Sequence, residues 1–176
     1  MNSTSPTPND NKLAQQTPAR LTSVEDVLLQ LADGRVLGND VVAQLDVPGF
    51  DNSSVDGYAL NIADTSTALR EGLPQSARIP AGHFSGNLVG GTVARIFTGA
   101  PIPVNANAVV MQEDCLVSPQ PAGDVVRLTQ APTPGQNIRL RGEDIANGQV
   151  VVHKGTRLTP AHLGLLASIG QAHVSV

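Results

Sequence analysis

Apolar residues fall into two rhythms along the chain. Val24, Val27, Leu28 and Leu31 recur at helical spacing, and Thr22-Ser23-Val24-Glu25 sets an oxygen acceptor three residues before a carboxylate, as a capping box does. Gly34 is placed to end such an element. The spacing therefore predicts a short helix, covered on more than one side because Leu29 lies off the stripe. Val36 to Val47 mixes Val and Leu with Asp and predicts, in part, a strand. From Leu60 to about Gly148 the rhythm changes to short β-like runs broken by Gly, Pro and Asn. Ala77–Pro80, Thr92–Phe97, Ala108–Gln112, Val125–Thr129 and, just beyond, Gln149–His153 are the clearest strands, with Pro119-Gln120-Pro121-Ala122-Gly123 as an exposed tip between two of them. Many short strands with closely spaced turns predict a small β-barrel or an irregular β-layer. Towards the end of the chain Thr159 is an N-cap and Pro160 takes the first helical position. Leu163, Leu166 and Ala167 supply the apolar side and Gly170 the stop. Val174 and Val176 then alternate with Ser175 as a strand would.

Composition narrows this picture. The 176 residues suit one domain of ordinary size or two small ones. Hydrophobic residues make up 40%, yet there are only three Phe and one Tyr, so the core is built from Val, Leu, Ile and Ala. A net charge of -4 without any Lys/Arg block argues against a nucleic-acid or membrane-surface partner, and no apolar run is long enough to span a bilayer. The single cysteine, Cys115, leaves no partner for an intrachain disulfide and points to a reducing compartment. Residues 1–20 are Ser, Thr, Pro, Asn and Gln with almost no large apolar side chain, and a disordered tail is predicted there. No positive patch precedes an apolar stretch, so no signal peptide is predicted. The expectation is a soluble, cytoplasmic protein.

The candidate chemistry sits in three stretches. Pro48-Gly49-Phe50-Asp51-Asn52-Ser53-Ser54-Val55-Asp56-Gly57-Tyr58 is turn chemistry flanked by two of the rare aromatics, and it sets a carboxylate beside a glycine. Read from the residues alone, it is either a structural turn in which Asp51 and Asn52 bond nearby backbone, or an acid site in which Asp56 holds a metal ion or orients a water. Thr98-Gly99-Ala100-Pro101 is a strand-ending turn or an oxyanion site. Arg139, Arg141, Glu143 and Asp144 form the densest charge cluster, either a solvated surface or guanidinium forks for phosphate and carboxylate beside a metal-binding acid. The histidines His83, His153, His162 and His173 fall at no metal-ligand spacing with one another or with Cys115, which reads as a small buried hydrophobe.

Together, Asp46-Val47-Pro48-Gly49-Phe50-Asp51-Asn52-Ser53-Ser54-Val55-Asp56-Gly57-Tyr58-Ala59, Arg95 to Pro103, Val109 to Glu113 and Asn137 to Ile145 resemble the N-terminal half of the molybdopterin molybdenumtransferase family, which includes the bacterial MoeA proteins. The resemblance implies an α+β, mostly β fold in which a small barrel-like β-rich domain (residues 45–144) is inserted into a carrier of helix and β-ribbon (residues 21–44 and 145–176). It implies insertion of molybdate into adenylylated molybdopterin by a homodimer, assisted by magnesium. By position it makes Asp56, Thr98 and Asp144 catalytic residues lining the cleft. Asp51, Ser53, Gly57, Gly99, Arg139, Arg141 and Glu143 become substrate-binding positions, and Asp56 and Asp144 the magnesium ligands. The family's pterin-binding motifs, Thr-Gly-Asp-Glu and Gly-Gly-x-Ser, are not in this sequence, so the expectation is a truncated module inactive by itself. The rival expectation is a non-catalytic scaffold that kept the fold.

Overall fold

The computed structural model describes residues 23–83 and 86–176, and the segment expected to form the tail lies outside them. In chain order the strands and helices are β1 (Asp26–Leu28), β2 (Val41–Val42), β3 (Asn52–Ser53), β4 (Gly57–Leu60), α1 (Thr65–Arg70), β5 (Leu73–Ile79), β6 (Val93–Ile96), β7 (Ala108–Met111), β8 (Cys115–Ser118), β9 (Val125–Leu128), β10 (Ile138–Arg139), β11 (Val150–Val152), α2 (Pro160–Ser168) and β12 (His173–Ser175). The fold is mostly β, as expected.

Its largest unit is a six-stranded sheet in the order β7-β4-β6-β5-β9-β8. β5 runs parallel to β6, and the other pairs are antiparallel. Successive side chains point to opposite faces of a strand, and both faces here are covered. Tyr58, Leu60, Val93, Val110 and Val126 join one apolar cluster, while Ala59, Ala94, Ile96 and Val109 join a second. This is why β4 and β7 read as nearly continuous small and branched apolar runs rather than as alternation. β5 meets β6 through Gln75 to Ile79 and β9 through Leu73 and Pro74, so the sheet changes partners along one strand. Its outer strands, β7 and β8, are joined by a single 3-10 turn, Gln112–Asp114, without pairing, and the barrel-like sheet stays open. The strands expected at Ala77–Pro80, Thr92–Phe97, Ala108–Gln112, Val125–Thr129 and Gln149–His153 all form, with the exposed tip between β8 and β9.

A separate apolar cluster draws on both ends of the described chain. Leu29, Leu37 and Ala43 pack with Ile145, Leu158, Leu166 and Val174. α2 begins as the sequence indicates: Pro160 is its first residue, and the Thr159 amide donates to His162 Nδ1 at 3.2 Å. Gly170 follows its end at φ +78°, a conformation that glycine adopts without strain.

The helix expected around Val24 to Leu31 does not form. Asp26, Val27 and Leu28 pair instead with Ser175, Val174 and His173, and a 3-10 turn at Leu29–Leu31 follows. Glu25 does not reach back as a capping acid. Its amide and carbonyl both bond Val176 at 2.9 Å, and its carboxylate pairs with the Arg35 guanidinium. An isolated helix of this length is marginal in water. The strand alternative satisfies the same backbone groups against a partner far along the chain. No helix among the described residues is long and apolar enough to cross a membrane.

Candidate functional site

Segment 51–53 is held on two sides, and that brings the three candidate stretches together. On one side β3 pairs with β10, Ser53 opposite Ile138 and Asn52 opposite Arg139. On the other, the Ser53 amide donates to Ala100 O (3.0 Å), the Gly99 amide to Ser53 O (2.8 Å) and the Ile102 amide to Asp51 O (3.0 Å). Ser54 donates to Asn137 O through both its amide and its hydroxyl. The turn chemistry of the first stretch is used locally as well: Asn52 Nδ2 donates to Phe50 O at 3.2 Å, and the fully buried Ser53 hydroxyl to Val55 O at 2.6 Å.

Asp56 and Thr98 form the centre of this assembly. Oδ1 of Asp56 accepts from both the amide and the hydroxyl of Thr98, each at 2.8 Å. The Thr98 amide, then its hydroxyl, and at longer range the Arg95 charge hold the Asp56 carboxyl below its ordinary pKa against a smaller opposing effect of desolvation. Gly57 beside it is a packing requirement. A Cβ there would lie 2.0 Å from the Val110 carbonyl oxygen, inside the β4–β7 ladder.

The charged turn is organised by its own acids. Glu143 Oε2 accepts from the Leu140 amide (2.8 Å), and Asp51 Oδ1 from the Arg141 amide (2.7 Å). Asp144 Oδ2 takes Arg139 Nη2 at 2.5 Å, which raises the Arg139 pKa further. Both side chains of that pair stand substantially in solvent (40% and 52% exposed), so it is reachable by a solute and contributes little to stability. Asp46, which sequence reasoning did not single out, fixes the turn from below. Its Oδ2 takes Arg141 Nε at 2.5 Å and its Oδ1 the Asn147 amide at 2.8 Å. Gly142, at φ +70°, passes so close that a Cβ would sit 3.0 Å from Asp46 Oδ1. Asp46 and Arg95 both stand inside the stretches that carry the family resemblance, and that position is the signal that could have marked them.

The structure thus brings Asp51, Ser53, Gly99, Arg139, Arg141, Glu143 and Asp144 into one hydrogen-bonded assembly, with Asp56, Gly57 and Thr98 adjoining it. Asp56 and Asp144 are each bonded to a different partner. Beside the assembly lies an open cleft of ≈ 630 Å³, bordered by Phe50, Asp51, Ile102 and Arg141. Among the described residues no three His, Cys, Asp or Glu side chains gather as a protein-built metal cage requires. What the site offers chemically is a set of carboxylates, two guanidinium groups and a hydroxyl, displayed on loops tied to one another by main-chain hydrogen bonds.

Residues 8–170 match the family described as the MoeA N-terminal region, domains I and II. A molybdopterin molybdenumtransferase 2 of Mycobacterium tuberculosis is 46% identical over 154 residues, which cover 85% of this chain and 37% of that protein. A molybdopterin molybdenumtransferase of Haemophilus influenzae is 38% identical over 165 residues, covering 93% of this chain and 39% of that protein. The crystal structure of a molybdopterin biosynthesis MoeA protein from Pyrococcus horikoshii superposes with a TM-score of 0.77 at 37% identity, over 88% of this chain and 41% of that one. The chain therefore spans about two-fifths of the length of each of these relatives.

Proposed function

This chain belongs to the molybdopterin molybdenumtransferase family, within its N-terminal region, and on that premise we propose that it supplies one wall of the cleft in which molybdate is inserted into adenylylated molybdopterin. The observation that carries the reading is the Asp56–Thr98 contact, set beside the exposed Arg139–Asp144 pair on loops from three separate parts of the sequence. Arg139 and Arg141 present guanidinium forks suited to phosphate oxygens or to molybdate. Thr98 is held in one orientation by Asp56, and its two donors stabilise the charged form of Asp56 and lower its pKa. Ser53 and Gly57, both buried, and Gly99, at the surface, fix the loops that carry these groups. Residues 45–144 form the inserted β-rich domain of this reading and residues 21–44 with 145–176 its carrier. The working protein is a cytoplasmic homodimer, in which the insert of one subunit faces the pterin-binding domain of the other.

Magnesium is typically held by one or two carboxylates together with substrate phosphates rather than by a protein cage. Asp56 and Asp144 each offer a carboxylate of that kind, since one oxygen of each accepts no hydrogen bond from another described residue. Magnesium bound there would neutralise charge developing on the phosphate oxygens as the adenylate is cleaved. Because the chain covers about two-fifths of the relatives, the complete reaction belongs in this reading to a protein of their length, and the 176-residue stretch alone does not insert molybdate.

One observation favours the rival scaffold reading: Asp46, Asp51, Asp56, Glu143 and Asp144 are all bonded within the chain, as purely structural acids would be. A protein of the relatives' length carrying Thr98→Val separates the two. Loss of molybdate insertion with unchanged thermal unfolding supports the cleft reading; full activity supports the scaffold.

A further inference from the structure

The supports of the Asp56–Thr98 contact converge on Arg95. Arg95 stands in β6, opposite Tyr58 of β4 and Arg78 of β5. Its Nη1 donates to the carbonyl of Gly57, the residue after Asp56, at 2.9 Å. Its Nη2 donates to Gln112 Oε1, and the Gln112 amide donates in turn to the carbonyl of Asp56 at 3.1 Å. The guanidinium also lies over the ring of Phe97, the residue before Thr98, 4.6 Å from its centre, and 5.2 Å from the centre of the Tyr58 ring. One planar cation therefore touches the neighbour of each partner in the contact and the side chain of Gln112, the residue whose backbone amide holds the Asp56 carbonyl.

Two features separate this from ordinary cross-strand packing. Arg95 is half-buried, yet it forms no ion pair among the described residues, so its charge is met by neutral acceptors and aromatic faces. A desolvated cation is costly unless it is hydrogen-bonded, and an apolar side chain would serve the sheet equally well. Moreover, only a guanidinium fork can bond two acceptors and stack at once; an ammonium supplies the charge without the plane.

We propose that Arg95 is a positioning residue of this site, setting the Asp56–Thr98 contact through Gly57, Gln112 and Phe97. The proposal rests on the reading of Asp56 and Thr98 as substrate-facing groups, but the contact itself is measurable without substrate. The experiment uses the ¹⁵N-labelled chain and its variants Arg95→Met, Arg95→Lys and Gln112→Ala. It reads the Thr98 amide proton shift and the exchange rate of that amide against those of Ala94 and Val110 in the sheet. In Arg95→Met the Thr98 amide should lose the downfield shift conferred by its carboxylate acceptor and exchange about tenfold faster, the scale of one weakened charged hydrogen bond. The sheet amides should keep their rates. Arg95→Lys should recover part of the effect, and Gln112→Ala should show a smaller one.

An unmoved Thr98 amide in a folded Arg95→Met chain overturns the proposal. Should that variant not fold, unmoved Thr98 amides in both Arg95→Lys and Gln112→Ala overturn it equally. In a protein of the relatives' length, Arg95→Met should lower kcat with little change in KM for adenylylated molybdopterin, and Arg95→Lys should rescue it in part. A moved Thr98 amide with unaffected kcat leaves Arg95 as the positioning residue and sinks the substrate-facing reading instead.

Discussion

Arg141 and Asp46 stand 95 positions apart in sequence and meet at 2.5 Å, with the Asp46 side chain only 14% exposed. The Asn147 amide and then Arg141 hold the Asp46 carboxyl below its ordinary pKa, outweighing desolvation. The unfolded chain therefore binds the proton more readily, and stability rises with pH across the interval between the two pKa values. This contribution is complete above the unfolded value of about 4 and is lost as the pH falls through the folded one. Asp46→Asn should accordingly unfold at lower temperature than wild type at pH 7, and the gap should close as the pH is taken below about 4. Melting curves that stay a constant distance apart would show that the ion pair contributes nothing.

Gly57→Ala should be among the most damaging small substitutions. The added methyl would meet the backbone oxygen of Val110 at 2.0 Å, and a ladder carbonyl cannot move aside as a flexible side chain can. We expect a loss of about 3 kcal/mol in urea unfolding. Gly164→Ala, on the exposed side of α2 with no atom within 4 Å of the new Cβ, should instead stabilise by about 0.8 kcal/mol.

Asp144→Asn, made in a protein of the relatives' length, should leave thermal unfolding nearly unchanged. Asp56→Asn in the same protein should lower the unfolding temperature modestly, since Thr98 stabilises the charged form. Both should sharply slow metal-dependent cleavage of the adenylate in single turnover. Asn keeps an oxygen for the Thr98 donors or for Arg139 but removes the charge. If either variant loses much stability while its folded fraction cleaves at the wild-type rate, that residue's role is structural.

Cys115 should be unreactive. Burial, and then the nearby Asp114, push its thiol up to about 12, and the thiol donates to Met111 O at 3.3 Å. Because the thiolate is the nucleophile, iodoacetamide at pH 8 should label the folded chain far more slowly than the chain in urea. Equal rates would mean that the β8 edge opens freely.

What the sequence made legible was whatever its neighbours determine. α2 is announced by Thr159 and Pro160, and β6, β7 and β9 by β-branched runs between turn residues. Val24 to Leu31 misled because the competing partner of β1 is β12, whose pairing leaves no trace in the local pattern. α1 escaped notice because six residues rich in Thr and Ser make a weak helical signal. In the site, Asp56, Thr98 and the 139–144 turn stood out by composition and resemblance. Asp46 and Arg95 carry no local peculiarity, and their importance lies in what they touch across the fold: Arg141 and Asn147 for one, Gly57, Phe97 and Gln112 for the other.

The β1–β12 ribbon also fixes an order of events during synthesis. Val27 is among the first described residues to leave the ribosome, and its partner Val174 is among the last. Leu29 and Leu37 must wait, uncovered, until Leu166 and Val174 have been made. The strands from Gly57 to Leu128 are complete before either arrives, so the six-stranded sheet can form on the nascent chain while the N-terminal segment is still without its partner. A stall in translation between Leu128 and Leu166 would therefore leave a finished sheet attached to an apolar strand with nothing to pair, a state open to holdase chaperones.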